Sequence, residues 1–449
     1  MSLHVVRQYF PHVVLASVPI YGHIEKFAII ATDLVKRGYP VTFTTGTVWR
    51  ELVEETGAKF VALQGNADFD GRNFEKAFPA WKSLPPGPAR FGYLRHMLID
   101  QIRDQHESLQ EILFDAGTRG EKTVVLQDIT FFGMNPVLLG APGVRPAGVI
   151  TVGHTPLPLF SIDTAPFGSG LPPDSSEGGR ARNIVENEKI RAIASVSQAS
   201  FIKIMKSLGA EDISDSLLDL AVIAPDRFLQ LCIRGFEYPR SDAPDNLRYI
   251  GYFPSSPTSN KPLPPWWNTV LKHERPLVVV SQGTLANHDY GDLILPTLEG
   301  LRDLDVQVVT TLVRSASFRD NFKVPQNVLV AQFIPFDELF KYADVVVNNG
   351  GFGTVQTAFS LGVPMVLAGQ TEEKTETNAR AGWTGAAINL ATQKPTSRQV
   401  REAVEEVLTD PKYKARALEL RDEYRKCDAL TSIAATIEEL ANGSSIGCY

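Results

Sequence analysis

A chain of 449 residues is more than one ordinary hydrophobic core organises, so two domains are expected. Its 43% apolar and 21% charged residues describe a soluble globular protein, and a net charge of −7 argues against a polyanion-binding surface and so against nucleic acid as a partner. The three cysteines, Cys232, Cys427 and Cys448, are too few and too scattered for a disulfide framework or a metal-ligand cluster, which fits a reducing compartment.

The run Val13 to Ile20 is only strand-length, contains Pro19 and lacks a basic start, so it does not read as a signal peptide. No segment approaches the roughly 20 apolar residues of a membrane helix, and a cytoplasmic protein without membrane insertion is expected. Strand and helix patterns then alternate at His12 to Val18, Glu25 to Arg37, Val41 to Thr44, Val48 to Glu55 and Lys59 to Leu63. Such alternation predicts a parallel sheet covered on both faces. Residues 65–88 lose the pattern, Arg90 to Phe114 reads as a long helix, and strands are predicted at Val124 to Gln127 and Ala147 to Val152. A second loose stretch, Thr155 to Gly179, precedes helices from Ile184 to Leu220. Irregular segments of this length usually carry function.

The Pro- and Ser-rich stretch Phe253 to Pro265 reads as a stiffened linker. Beyond it, strands at Leu277 to Ser281, Val308 to Leu312, Val328 to Phe333 and Val345 to Val347 repeat the α/β architecture. The expected division is 1–252 for the first domain, 253–275 for the linker, 276–430 for the second domain and 431–449 for a terminal helical segment.

Phe333 to Asn378 is the most informative stretch. The β-branched run ending at Val347 meets Asn348-Asn349-Gly350-Gly351-Phe352-Gly353-Thr354, after which Val355, Ala358, Phe359 and Leu361 recur at helical spacing. A buried strand thus feeds a helix through a glycine turn. Glycines permit close backbone approach, and the free N–H groups and dipole of the helix start favour a diphosphate. Gly362-Val363-Pro364 ends that helix, the strand Met365 to Leu367 follows, and an acidic loop, Gln370-Thr371-Glu372-Glu373-Lys374, lies beyond it.

Together with Gln332-Phe333-Ile334-Pro335, these motifs resemble the donor-binding signature of family 1 glycosyltransferases. The resemblance implies a GT-B fold, two doubly wound Rossmann-like α/β domains facing across a cleft, with the terminal helix crossing back onto the first domain. It also implies that the first domain binds the acceptor and the second the nucleotide sugar. Ligands of open α/β sheets bind beyond the strand C-terminal ends, so the chemistry should straddle that cleft.

His23, in Ser17-Val18-Pro19-Ile20-Tyr21-Gly22-His23, is expected on a loop at the sheet edge, and the stretch resembles the family's Gly-His loop, whose histidine deprotonates the acceptor hydroxyl. The proline common after it is missing from Glu25-Lys26-Phe27. Asp128, following the strand Val124 to Gln127, is the carboxylate expected to orient His23. On the donor side the resemblance assigns Phe333 to stack on the base and the Ile334 backbone to its edge. Asn349 stands where the family has a phosphate-contacting histidine, while Gly22, Ser281, Gly283, Thr284, Gly351, Gly353 and Thr354 complete the diphosphate site. Thr357 replaces the ribose-binding glutamate, with Gln356 beside it as a substitute, and Glu372 or Glu373 is expected to contact the sugar. Phe91, Tyr93, Phe131, Phe132 and His154 are candidates for the acceptor pocket, though core packing or a bond behind the site would place the same residue types there.

Asp68-Phe69-Asp70 matches a metal-holding Asp-x-Asp pattern, but it lies in the wrong half of the chain, and no metal is expected because helix N–H groups can neutralise a leaving diphosphate. The expected activity is inverting, metal-independent transfer of a sugar, glucose in the first instance, from a UDP-sugar co-substrate to a hydroxyl of a small lipophilic acceptor, by a monomer without a further cofactor. Alternatives are a dTDP-sugar-dependent transferase, a nucleotide-sugar epimerase or hydrolase, and a non-catalytic nucleotide-sugar sensor.

Overall fold

The computed structural model of the protein describes residues 10–80, 83–84, 93, 95–211, 213–253, 263–283, 289–311, 323–331 and 334–443. Two all-parallel sheets carry the architecture. The first has seven strands in the order β3-β2-β1-β4-β5-β6-β7: β1 His12–Ala16, β2 Val41–Thr45, β3 Lys59–Ala62, β4 Thr123–Asp128, β5 Gly148–Gly153, β6 Arg227–Gln230 and β7 Leu247–Tyr249. The second has six, in the order β10-β9-β8-β11-β12-β13: β8 Leu277–Ser281, β9 Gln307–Thr311, β10 Val328–Ala331, β11 Val345–Asn348, β12 Met365–Leu367 and β13 Ala387–Asn389.

Both faces of each sheet are covered, which is why the strands read as continuous apolar runs rather than alternating ones. In β1, Val13 and Leu15 enter a core with Ile24, Phe27 and Ile30 of the helix Tyr21–Arg37, while Val14 and Ala16 face Leu109, Ile112 and Leu113 of the helix Ile102–Thr118. In β8, Val279 packs with Val355 and Phe359, and Val278 and Val280 with Leu298 and Val404 on the other side.

The terminal helix Ala429–Asn442 leaves the second domain and packs on the first sheet through Ala429, Ile433 and Ile437. Each buried isoleucine stabilises the docking by about 1.5–3 kcal/mol relative to exposure. Glu439 fixes its orientation, accepting from Arg248 at 2.7 Å and from Arg227. Among the described residues, no helix is long and apolar enough to cross a membrane.

Strand order reverses between β1 and β4 in the first sheet and between β8 and β11 in the second. At such switch points the flanking crossovers part on opposite faces and leave a crevice at the strand C-terminal ends. His23 and Asp128 emerge at the first crevice, Ser281 and Asn349 at the second.

Candidate active site

Asp128 is the last residue of β4 and fully buried. Its Oδ2 accepts from His23 Nδ1 at 2.8 Å, Ser17 Oγ at 3.2 Å and Val18 N at 3.4 Å. Its Oδ1 accepts from Thr130 N at 2.8 Å, Thr130 Oγ1 at 3.0 Å and His154 Nε2 at 3.3 Å. Because a carboxylate can only accept, the proton of neutral His23 is assigned to Nδ1, which leaves Nε2 as the basic nitrogen. The predicted loop position of His23 is corrected: the helix starts at Tyr21, so His23 lies in its first turn.

The two imidazoles on this carboxylate, 4.4 Å apart edge to face, are tuned oppositely. Burial alone would depress His23, but the charge and hydrogen bond of Asp128, with the charge of Glu373 from the second domain, raise its pKa above the ordinary 6.5. Burial, joined by the positive charge on His23, lowers that of His154 and keeps it neutral. For Asp128, burial pushes upward, yet the two histidines hold the carboxyl well below its usual range. A histidine accepts a proton only when neutral, so kcat/KM should rise with pH through a limb above that of an ordinary histidine. Asp128→Asn removes the raising charge, and the limb should move to lower pH as the maximal rate falls. A limb unmoved in the pH profile of that variant would mean that another group titrates.

His23, Asp128 and His154 place potential ligand atoms within 4.8 Å of one another, which is geometrically within reach of a metal ion. Here the carboxylate spends its lone pairs on the imidazoles, the arrangement of an orienting acid. Asp68 and Asp70 are engaged locally, Asp68 with Thr47 N and Oγ1 at 2.6 Å each and Asp70 with Arg72 Nε at 2.9 Å.

Across the cleft, three asparagines shape the glycine turn. Asn348 Oδ1 accepts from Gly350 N at 2.7 Å and Gly351 N at 3.3 Å, and its amide donates to Ser281 O at 2.8 Å. Asn378 Nδ2 donates to Gly369 O at 3.0 Å and Asn349 O at 3.3 Å. Gly350, at φ 96°, is required here, since a Cβ would lie 1.8 Å from Asn378 Oδ1. The Gly351 N–H assigned to the ligand is therefore already taken. The helix Phe352–Ser360 has Gly351 at its N-cap and no side-chain cap, so the first-turn N–H groups of Phe352, Gly353 and Thr354 have no partner within the helix.

Other expected donor residues are redistributed. Asn349 is buried and donates to Gln282 O at 2.5 Å, leaving its Oδ1 buried and without a partner. Ser281 is buried at the strand end, and Gly283 follows at φ 77°. Ile334 has its side chain in the core, so only its backbone is available to a base. Thr357 Oγ1 bonds back to Gly353 O at 2.9 Å. Gln356 does not replace the missing ribose carboxylate, because it is fully buried and bonds Tyr424 Oη, on the core side of the helix. Thr284, Phe333 and Phe91 lie outside the described residues.

Glu372, at φ 47°, pairs with Lys374 Nζ, whereas Glu373 ends the loop at the N-cap of the helix Lys374–Trp383 and adds to the field at His23. Gly22, exposed beside His23, borders open space. Tyr93 is half-buried against His96. Two of the acceptor candidates are corrected: Phe131 and Phe132 are 1% and 2% exposed in separate cores and offer no surface to a ligand. His154 belongs behind the dyad, bonded to Asp128.

A buried ion cluster that the sequence did not announce joins the domains. Arg380, on the helix Lys374–Trp383, donates to Glu237 Oε1 at 2.6 Å and pairs with Glu376 on its own helix, beneath a contact of 4.3 Å with the Tyr238 ring. Arg240 joins Glu237 at 3.2 Å, and Glu376 Oε1 accepts from Gly168 N and Gly170 N at 2.8 Å each. The helix that begins at the acidic loop thereby holds the irregular segment past His154.

Two parallel, doubly wound domains, with an oriented histidine at one switch point and an uncapped helix N-terminus at the other, define a GT-B glycosyltransferase. The chain is 68% identical over 436 residues to UDP-glycosyltransferase 2 of Phaeomoniella chlamydospora, covering 96% of each chain. It is 39% identical over 448 residues to UDP-glucosyltransferase avaP of Aspergillus versicolor, covering 96% of this chain and 97% of the other. The protein belongs to the family 1 UDP-glycosyltransferases, enzymes that transfer a sugar from a nucleotide sugar to an acceptor. Residues 296–440 match the family described as "Erythromycin biosynthesis protein CIII-like, C-terminal domain". The crystal structure of the glycotransferase of kitacinnamycin has the same fold, with a TM-score of 0.70 at 21% identity over 96% of this chain and 98% of the other.

Proposed function

We propose that the protein moves glucose from UDP-glucose to a hydroxyl of a small lipophilic acceptor, with inversion at the anomeric carbon and without a metal, as a monomer. The observation that carries this reading is the His23–Asp128 pair, with Nδ1 held at 2.8 Å and Nε2 left as the base, in a cleft that Glu373 faces from the second domain. His23 Nε2 takes the hydroxyl proton as the acceptor oxygen attacks the anomeric carbon. The bond to the diphosphate oxygen breaks on the opposite side, and the N–H groups of Phe352, Gly353 and Thr354 receive the charge that develops. Glu373 is the better placed of the two glutamates for accepting from sugar hydroxyls, since Glu372 is tied to Lys374. Glucose is favoured by the glucosyl names of relatives, and a lipophilic acceptor by the family resemblance and by two half-buried rings, Tyr93 at a helical position and Phe160 on an irregular segment. Both halves of the site come from one chain, which is why a monomer suffices.

The test is a mass-shift screen of phenolic, polyketide and sterol acceptors against UDP-glucose, UDP-glucuronate and a dTDP-sugar. Gain of one hexose from UDP-glucose is expected; conversion of the donor with no acceptor present would instead indicate an epimerase or hydrolase. Donor discrimination is a separate expectation. With Thr357 in place of a carboxylate and Gln356 turned to Tyr424, no charged acceptor from this turn reads the ribose. A bond to a charged group contributes about 1.5–3 kcal/mol against 0.5–1.5 for a neutral one, so preference for UDP-glucose over dTDP-glucose should be small. Competition kinetics give the ratio of specificity constants, and a dTDP preference beyond about tenfold, roughly 1.4 kcal/mol, would overturn UDP as the natural donor.

A further inference from the structure

Lys26 lies one helical turn beyond His23 and, at 6% exposure, is a buried cation at the cleft. Among the described residues its nearest carboxylate is Glu25 at 3.9 Å, beyond hydrogen-bond length. Its ammonium instead rests over two aromatic rings, 4.8 Å from the centroid of Tyr252 and 5.9 Å from that of Phe253. Tyr252 extends the line to the second domain: a Cβ on Gly353 would lie 3.0 Å from its Oη. Ammonium, phenol and the first turn of the helix Phe352–Ser360 therefore follow one another across the cleft.

The glycine turn itself offers an anion only neutral donors. Asn349 is neutral, and Gly351 offers no side chain. The other buried basic side chains are engaged, Lys374 with Glu372 and Arg380 with Glu237 and Glu376. Among the buried lysines and arginines of the described residues, Lys26 alone has no hydrogen-bonded carboxylate. An ammonium already stripped of most of its water attracts an arriving anion more strongly than one in solvent would.

We propose that Lys26 is a donor-binding residue, whose ammonium meets the diphosphate of the nucleotide sugar from the first domain while the N–H groups of Phe352 to Thr354 hold it from the second. This rests on the reading of that turn as the diphosphate site. Lys26 stands within the stretch where the family's proline is missing, so one departure compensates another, the neutral Asn349. Burial pulls the pKa of Lys26 down, but Tyr252, Glu25 and Asp337 of the second domain together raise it, so the side chain is charged at neutral pH. Because Lys26 and the turn belong to different domains, the diphosphate would also draw the cleft shut.

The test compares UDP with uridine by calorimetry on the full-length protein. In Lys26→Met, whose flexible thioether stem still packs on Tyr252 and Phe253, UDP affinity should fall about ten- to a hundredfold, the worth of one bond between charged groups. Uridine affinity should not change, and Lys26→Arg should retain most of the UDP affinity. If the methionine variant does not fold, as judged by its melting curve, Lys26→Gln carries the same comparison. UDP affinity within about twofold of wild type, or equal losses for UDP and uridine, would overturn the assignment of Lys26. Failure of the wild-type protein to bind UDP at all would instead overturn the reading of the turn, and Lys26 with it.

Discussion

His23→Ala is expected to lower glucosyl transfer to an aliphatic hydroxyl about 10²–10⁴-fold, the range of a general base, while leaving UDP affinity close to that of the wild type. The two effects separate because the base sits beside β1 and β4, whereas the proposed nucleotide contacts, Lys26 excepted, arise beside β8 and β11. An acceptor that is already acidic should suffer less, since a phenolate needs no base. Single-turnover rates with an alcohol and with a nitrophenol, alongside calorimetry with UDP, read all three quantities. Transfer to the alcohol within a few-fold of wild type would sink the general-base role, and the same loss for both acceptors would point to a positional effect of the histidine.

Arg380→Met is expected to destabilise the protein by about 3–5 kcal/mol, the cost of leaving buried charges without their partner. Glu376 would keep two backbone donors, Gly168 N and Gly170 N, and Glu237 would keep Arg240 at 3.2 Å, but the charge common to both carboxylates would be gone. Burial works against the charged forms of Arg380 and Glu237 alike; Glu237 and Glu376 outweigh it for Arg380, and Arg380 and Arg240 outweigh it for Glu237. Denaturant unfolding followed by a probe in each domain measures the loss, and Glu237→Gln combined with Arg380→Met should recover part of it. A loss below about 1 kcal/mol would match an exposed ion pair and contradict the buried geometry. Transfer should fall as well, because the same helix begins at Glu373 and holds the segment past His154.

The central strands of both sheets were legible because a strand covered on two faces must be apolar throughout, as in β8, Leu-Val-Val-Val-Ser, and β12, Met-Val-Leu. The edge strands β7, Leu-Arg-Tyr, and β13, Ala-Ile-Asn, are three residues long and of mixed polarity, and leave no pattern. The start of the first helix leaves no mark in the sequence because its N-cap is Ile20, which has no capping side chain. Gln356 faces the core rather than the ribose site because neighbouring helical residues point about 100° apart, and sequence adjacency to Thr357 says nothing of the face. Asn348 is within reach of local reasoning: an Asn two residues before a glycine is a side chain placed to accept from that glycine's N–H. Glu237 and Arg380, 143 positions apart, leave no local trace, since each alone reads as an ordinary surface charge.

The chain passes between the domains twice, once after β7 and once between the helix Pro411–Tyr424 and the terminal helix. The two passages touch. Gly251, at φ 81°, packs so closely on Cys427 that a Cβ there would come within 2.4 Å of that residue's Cβ. Two tethers anchored at one spot act as a pivot: the halves cannot slide apart without pulling this contact open, and rotation about it must also break the Arg380 bond to Glu237. Donor and acceptor would thus enter through the rim remote from the pivot, in the manner of a book opened at its fore-edge with the spine intact.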